Sequence, residues 1–205
     1  MNFSDLKSRA YEYLSYSNIS ENEISNLYLK ECYEYLTSDD HFRCLYKKLK
    51  QPMPFMQCNP YVSYLNGASE YFIFLATLGS EVDVSLAKLW EADKNKAIIF
   101  DACINAYLEI RTEQVKKTLS DNLSYLFSPG YEGSDIFDLK YILDELHRDK
   151  IGVRLNDNGV MSPSKTLAGI YAVGVTSNKK CGNCLKLNDC VYRKAGKVCF
   201  HLEKK

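Results

Sequence analysis

Cys181 and Cys184 stand two residues apart in the run Lys179-Lys-Cys-Gly-Asn-Cys184, and Cys190 and Cys199 follow. One tight turn, eased by Gly182, can present two thiolates at that spacing to a single metal. Four thiolates suit a tetrahedral zinc site or an iron–sulfur cluster, and spacing alone chooses neither between these nor against a plain reduced tail. Lys179, Lys180, Lys186, Arg193, Lys194 and Lys197 surround them and would offset the thiolate charge, favouring ligation or redox reactivity. A second chemistry is offered by the turn Ser128-Pro-Gly-Tyr-Glu-Gly133. Gly130 lets backbone come close to a ligand, and Tyr131 gives a flat amphipathic face. Asp157, in the turn Asn156-Asp-Asn-Gly159, is either a ligand contact or an aspartate closing its own turn. Lys165 could meet an anion, although a solvated lysine is the simpler expectation. Cys32, Cys44, Cys58 and Cys103 lack ligand spacing and read as small buried hydrophobes. His41 and His147 suggest no catalytic pairing, and no nucleophile, base and orienting acid can be assembled.

These residues need elements to hold them. Phe3, Leu6, Ala10, Tyr13 and Leu14 mark one helical stripe; Ser20 to Glu23 form a capping box before a second, along Ile24, Leu27, Tyr28 and Leu36. Phe42, Leu45, Tyr46 and Leu49 repeat the spacing and predict a third. Tyr71 to Gly79 is continuously apolar, as a strand buried on both faces would be. Ser80 and Asp83 are expected to cap two long helices that reach about Ser120, with a break near residues 93–95. Leu123, Tyr125 and Phe127 alternate like a short strand that the Pro/Gly turn ends. Asp135 opens a helix along Ile136, Leu139, Leu143 and Leu146 that stops before Gly152. Residues 153–161 predict two short strands around the Asn-Asp-Asn-Gly turn, and Thr166 to Val175 a last strand. Helices first and strands interspersed later make an α+β fold, with helices packed on a twisted antiparallel or mixed sheet.

Length and charge bound the function. A chain of 205 residues can bury a core as one domain. We expect that domain over 1–178 and a Cys-rich tail over 179–205. Lys and Arg number 26 against 26 Asp and Glu, without a long basic run, which disfavours a nucleic-acid partner or a membrane surface. The start is polar and amphipathic and the longest apolar run is far too short to span a bilayer, so a cytoplasmic protein is expected.

Three segments carry a family resemblance: Phe74-Leu-Ala-Thr-Leu-Gly-Ser-Glu-Val-Asp83 leading into Ile98-Ile-Phe-Asp-Ala-Cys-Ile-Asn-Ala106, then Phe127-Ser-Pro-Gly-Tyr-Glu-Gly133, then Ile151 to Tyr171. In this order they resemble the reactivation domain of cobalamin-dependent methionine synthase, in a free-standing short form, over roughly residues 70–172. The resemblance implies an activation subunit that supports reductive methylation of cob(II)alamin with S-adenosylmethionine, the cobalamin being carried by a partner. Its partners would be the cobalamin-binding module of a methionine synthase or related corrinoid methyltransferase, and an electron donor such as flavodoxin or ferredoxin. It implies that Ser128, Gly130 and Tyr131, with Asp157 nearby, form part of the donor and corrin surface, and it places a further tyrosine near Lys179. A metal cluster on Cys181, Cys184, Cys190 and Cys199 would suit the electron that reactivation needs. Where the family has Arg in its Arg-x-Ala-x-Gly-Tyr turn, this chain has Leu126, which cannot grip a carboxylate. Asp101 keeps the acid of the family's central helix, and Ile104 and Asn105 replace its small pair. Two alternatives follow: a module that covers a corrinoid protein without binding the donor, or a small iron–sulfur or zinc interaction protein.

Overall fold

The computed structural model describes residues 1–17, 19–175, 188 and 191–194. Five strands occur among them: β1 (Arg43–Leu49), β2 (Glu70–Thr77), β3 (Arg154–Leu155), β4 (Met161–Ser162) and β5 (Thr166–Val173). The apolar β2 is central. It pairs antiparallel with β1, Arg43 opposite Thr77 and Leu49 opposite Tyr71, and with β5, Glu70 opposite Val173 and Thr77 opposite Thr166. β3 and β4 form a separate antiparallel hairpin.

Side chains alternate across this sheet, and each face finds a core. Phe72, Phe74, Ala76 and Tyr171 meet one layer of helices, α1 (Phe3–Leu14), α2 (Glu23–Ser38), α4 (Ser80–Ala92) and α5 (Lys94–Leu119). Ile73, Leu75, Ala168, Ile170 and Ala172 face the opposite way, onto Tyr61 and Leu65 of α3 (Tyr61–Leu65), Leu139, Ile142 and Leu143 of α6 (Leu139–Glu145), and Phe127. β2 is therefore buried on both faces, as its unbroken apolar run predicts. A four-residue helix, α7 (Val191–Lys194), follows later in the chain.

Some expectations are corrected. The stretch 43–49 is a strand, not a third helix. It is an edge strand that mixes charged and apolar residues on both faces, so its alternation is hidden, and pairing with β2 overrides the helical spacing of Leu45 and Leu49. The cap of α2 is Asn22, whose Oδ1 accepts from Ser25 N at 2.8 Å while Ser25 Oγ accepts from Asn22 N at 3.0 Å. The α4 N-cap is Gly79, with no side-chain cap bond. The break between α4 and α5 falls where expected, and Asp93 Oδ1 caps α5 by accepting from Lys96 N at 3.0 Å.

The alternating segment after α5 joins the sheet by isolated bridges, Leu123 to Val173 and Phe127 to Ile170, with Ser124 N donating to Ala172 O at 2.8 Å. Between them Ala172 N donates to the Ser124 hydroxyl at 2.9 Å instead of to a backbone carbonyl, which interrupts the ladder. Gly169 permits the close crossing: a Cβ there would lie 2.5 Å from Phe127 O and 2.9 Å from Leu126 Cγ.

Candidate functional site

The segment paired with β5 delivers the Ser128–Gly133 turn. Gly130 adopts φ +90°, open to glycine at little cost, and its N–H donates to Ser134 Oγ at 3.0 Å. The Ser134 hydroxyl donates in turn to Tyr131 O at 2.6 Å, and Tyr131 N donates to Ser128 O at 3.3 Å. The turn is thus closed by its own serines. Tyr131 projects outward, 61% exposed. Beside it the Tyr125 hydroxyl donates to Glu132 at 3.5 Å, and burial pushes that phenol up to about 12.

The β3–β4 hairpin is closed by Asn156, whose Oδ1 accepts from Asn158 N at 3.0 Å and Val160 N at 2.9 Å. The turn-closing role considered for Asp157 therefore belongs to its neighbour, and Asp157 is exposed. One side chain joins the two turns. A Cβ on Gly130 would lie 3.3 Å from Ile136 Cγ1, and one on Gly159 3.0 Å from Ile136 Cγ2. Ile136 thereby links the Gly130 turn to Gly159 of the hairpin whose turn carries Asp157. Tyr131, Ile136, Phe137 and Val160, each adjacent in the chain to this junction or part of it, are exposed apolar or aromatic groups. Exposed apolar and aromatic side chains of this kind are what an interaction surface is built from.

A second cluster was missed in sequence. Lys165 is not solvated: its ammonium donates to Asp101 Oδ1 at 2.6 Å and Asn105 Oδ1 at 2.9 Å, with the side chain 13% exposed. Asn105 Nδ2 donates to Asp101 Oδ2 at 3.1 Å. Asp83, expected to cap α4, instead accepts from Ser164 N at 2.6 Å and Ser164 Oγ at 2.9 Å. The spacing of Asp101 and Asn105, one helical turn apart, was the available signal; nothing local to Lys165 announced its partners. Asp101 and Asn105 also close a cavity of about 270 Å³ walled by Tyr13, Trp90 and Ile98.

Leu126, which the resemblance sets at an Arg position, packs into the helix-side core over Gly169. Nothing at that position can pair with a carboxylate. Cys32 and Cys103 are buried, as expected; Cys44 is half-buried and Cys58 is exposed, so burial does not account for all four. The Cys32 thiol is held well above its usual range by burial and by the neighbouring Cys103 thiol. Cys181, Cys184, Cys190 and Cys199, like Lys179, lie outside the described residues. Among the described residues no three His, Cys, Asp or Glu side chains are arranged to hold a metal ion, and no helix is long and apolar enough to cross a membrane.

No family model matches the chain, and neither does any curated protein. Among solved structures it is similar to the reactivation domain of MetH bound to AdoHcy, with a TM-score of 0.51, 13% identity, and coverage of 97% of this chain and 85% of that one. The two share a fold. The mixed helical and antiparallel architecture expected from the sequence is the architecture of that domain.

Proposed function

We propose that the protein is an accessory subunit of a cobalamin-dependent methyltransferase of the methionine synthase type, docking on the module that carries the corrinoid and supporting its reductive methylation. The observation that carries this reading is the junction at Ile136, where the Gly130–Tyr131 turn and the Asp157–Gly159 hairpin meet on a fold shared with a MetH reactivation domain. A flavodoxin or ferredoxin would supply one electron to the cob(II)alamin held by the partner, and S-adenosylmethionine would then give its methyl group to the cobalt and leave as S-adenosylhomocysteine.

The residues present fit one part of this role better than the other. Tyr131, Phe137 and Val160 are each exposed and uncharged, side chains of a kind suited to lie against a macrocycle and its protein rim. Positioning is what such a face contributes, since holding two reactants in register removes much of the entropy cost of their encounter. For the donor, the fit is weaker. The Gly130 N–H is already satisfied by Ser134, and Leu126 is turned into the core, so neither can hold the methionine end of the ligand. Those two observations favour a second reading, a protein that covers the corrinoid module without binding the donor.

Two titrations separate the readings. With the corrinoid-binding module of a methionine synthase loaded with cob(II)alamin, the protein is expected to shift the visible spectrum, and Tyr131→Ala to abolish the shift. Calorimetric binding of S-adenosylmethionine would establish the full activation role; a spectral shift without it leaves the covering role. Absence of both would overturn the proposal.

A further inference from the structure

A cleft of about 360 Å³ lies between the 3-10 turn Pro54–Gln57 and the start of α6, lined by Met53, Pro54, Phe55, Asp138 and Tyr141. Its composition is unusual for a surface hollow: two aromatic rings, a thioether, a proline and one carboxylate. The Phe55 and Tyr141 rings lie nearly parallel, 16° apart with centroids separated by 5.6 Å. Asp138, one helical turn before Tyr141, accepts from the Tyr61 hydroxyl at 2.9 Å through Oδ2, and its other oxygen takes no hydrogen bond from a described residue. Asp135 adds a second negative charge nearby, while Lys140 of α6 and Arg148 beyond it both pair with Asp144. Among the described residues no Lys or Arg forms an ion pair with Asp135 or Asp138.

We infer that this cleft receives an arginine side chain from a protein partner. A guanidinium is planar, extends an aromatic stack and bonds a carboxylate through two N–H groups, whereas an ammonium offers only a strongly hydrated point charge. The stack of Phe55 and Tyr141 beside the open oxygen of Asp138 meets each of those properties. The occupant belongs to a polypeptide and is not free arginine, because the five lining residues include no cation to take an amino-acid carboxylate. The inference does not depend on the corrinoid reading and can fail separately from it.

The test is a titration of the full-length protein with N-acetyl-L-argininamide, followed by two-dimensional amide NMR. We expect saturable shifts centred on Phe55, Asp138 and Tyr141, weaker by about tenfold or more with the lysine analogue, and weaker still with the uncharged citrulline analogue. Asp138→Asn keeps an acceptor for Tyr61 and removes the charge; Tyr141→Ala removes one exposed ring. Each is expected to abolish saturation while leaving the remaining spectrum in place. Equal binding of the citrulline or lysine analogue, shifts that persist in Asp138→Asn, or free arginine binding about tenfold more tightly than the blocked residue would each overturn the inference, as would the absence of saturable shifts.

Discussion

Single atoms decide much in this protein. At Gly169 an added methyl would collide with Phe127 O at 2.5 Å, a backbone atom that cannot swing aside. We expect Gly169→Ala to lower stability by about 3 kcal/mol or more, read as a shift in urea midpoint at constant slope. A smaller effect is expected at Gly130, where φ is +90° and the neighbour to be displaced is the Ile136 side chain. There Gly130→Ala is expected to cost about 1–2 kcal/mol. Asp138 works in the opposite sense. Burial, and secondarily the charge of Asp135, raises its pKa in the folded state, against the lowering effect of the Tyr61 bond. A folded protein that holds this proton more tightly than the unfolded chain gains stability from the group as pH falls through the window just above the ordinary carboxylate value of about 4. Asp138→Asn is therefore expected to stabilise the protein at pH 7, with the advantage shrinking toward pH 4, as denaturation midpoints at the two pH values will show. No advantage at pH 7 would contradict this account.

At the scale of elements, the β3–β4 hairpin is held from behind. Lys165 bonds to Asp101 and Asn105 of α5, and Ser164 to Asp83 of α4, so the residues just after β4 are tied to both helices. Lys165→Met keeps the aliphatic stem and removes the charge. Because Asp101 remains 36% exposed, the loss is expected to be about 1–2 kcal/mol, below that of a fully buried pair. Its signature is local: faster hydrogen exchange over Asn156–Lys165, with β2 unchanged apart from the global shift. This arrangement also shows what the sequence could and could not reveal. β2 was plain from its apolar run, and α4 and α5 from their periodicity and the break near residues 93–95, because both signals are local. β1 was misread because an edge strand with Lys47, Lys48 and Arg43 along it carries no clear alternation. The partners of Lys165 lie 60 or more residues away in the chain, and no local pattern encodes such a contact. The meeting of the two turns was expected only through the resemblance; the side chain that joins them, Ile136, had looked like an ordinary helical stripe residue.

In the whole molecule the sheet separates two cores of unequal depth, a deep helical one and a shallower one carrying both the Ile136 junction and the arginine cleft. Slow exchange is expected to concentrate in Phe72–Ala76, which open only on global unfolding, while the shallower side yields first. The outer edge of β1 has a different consequence. Lys47 pairs with Glu145, and Lys48 with Glu70 at 2.7 Å, and both side chains remain about half exposed. An edge strand leaves backbone donors and acceptors without a neighbouring strand, and charged side chains along it disfavour a second molecule adding a strand of its own. Lys47→Val with Lys48→Val would convert the margin of the sheet into a growing end. Light scattering at high protein concentration is expected to report assembly in that variant and none in the parent.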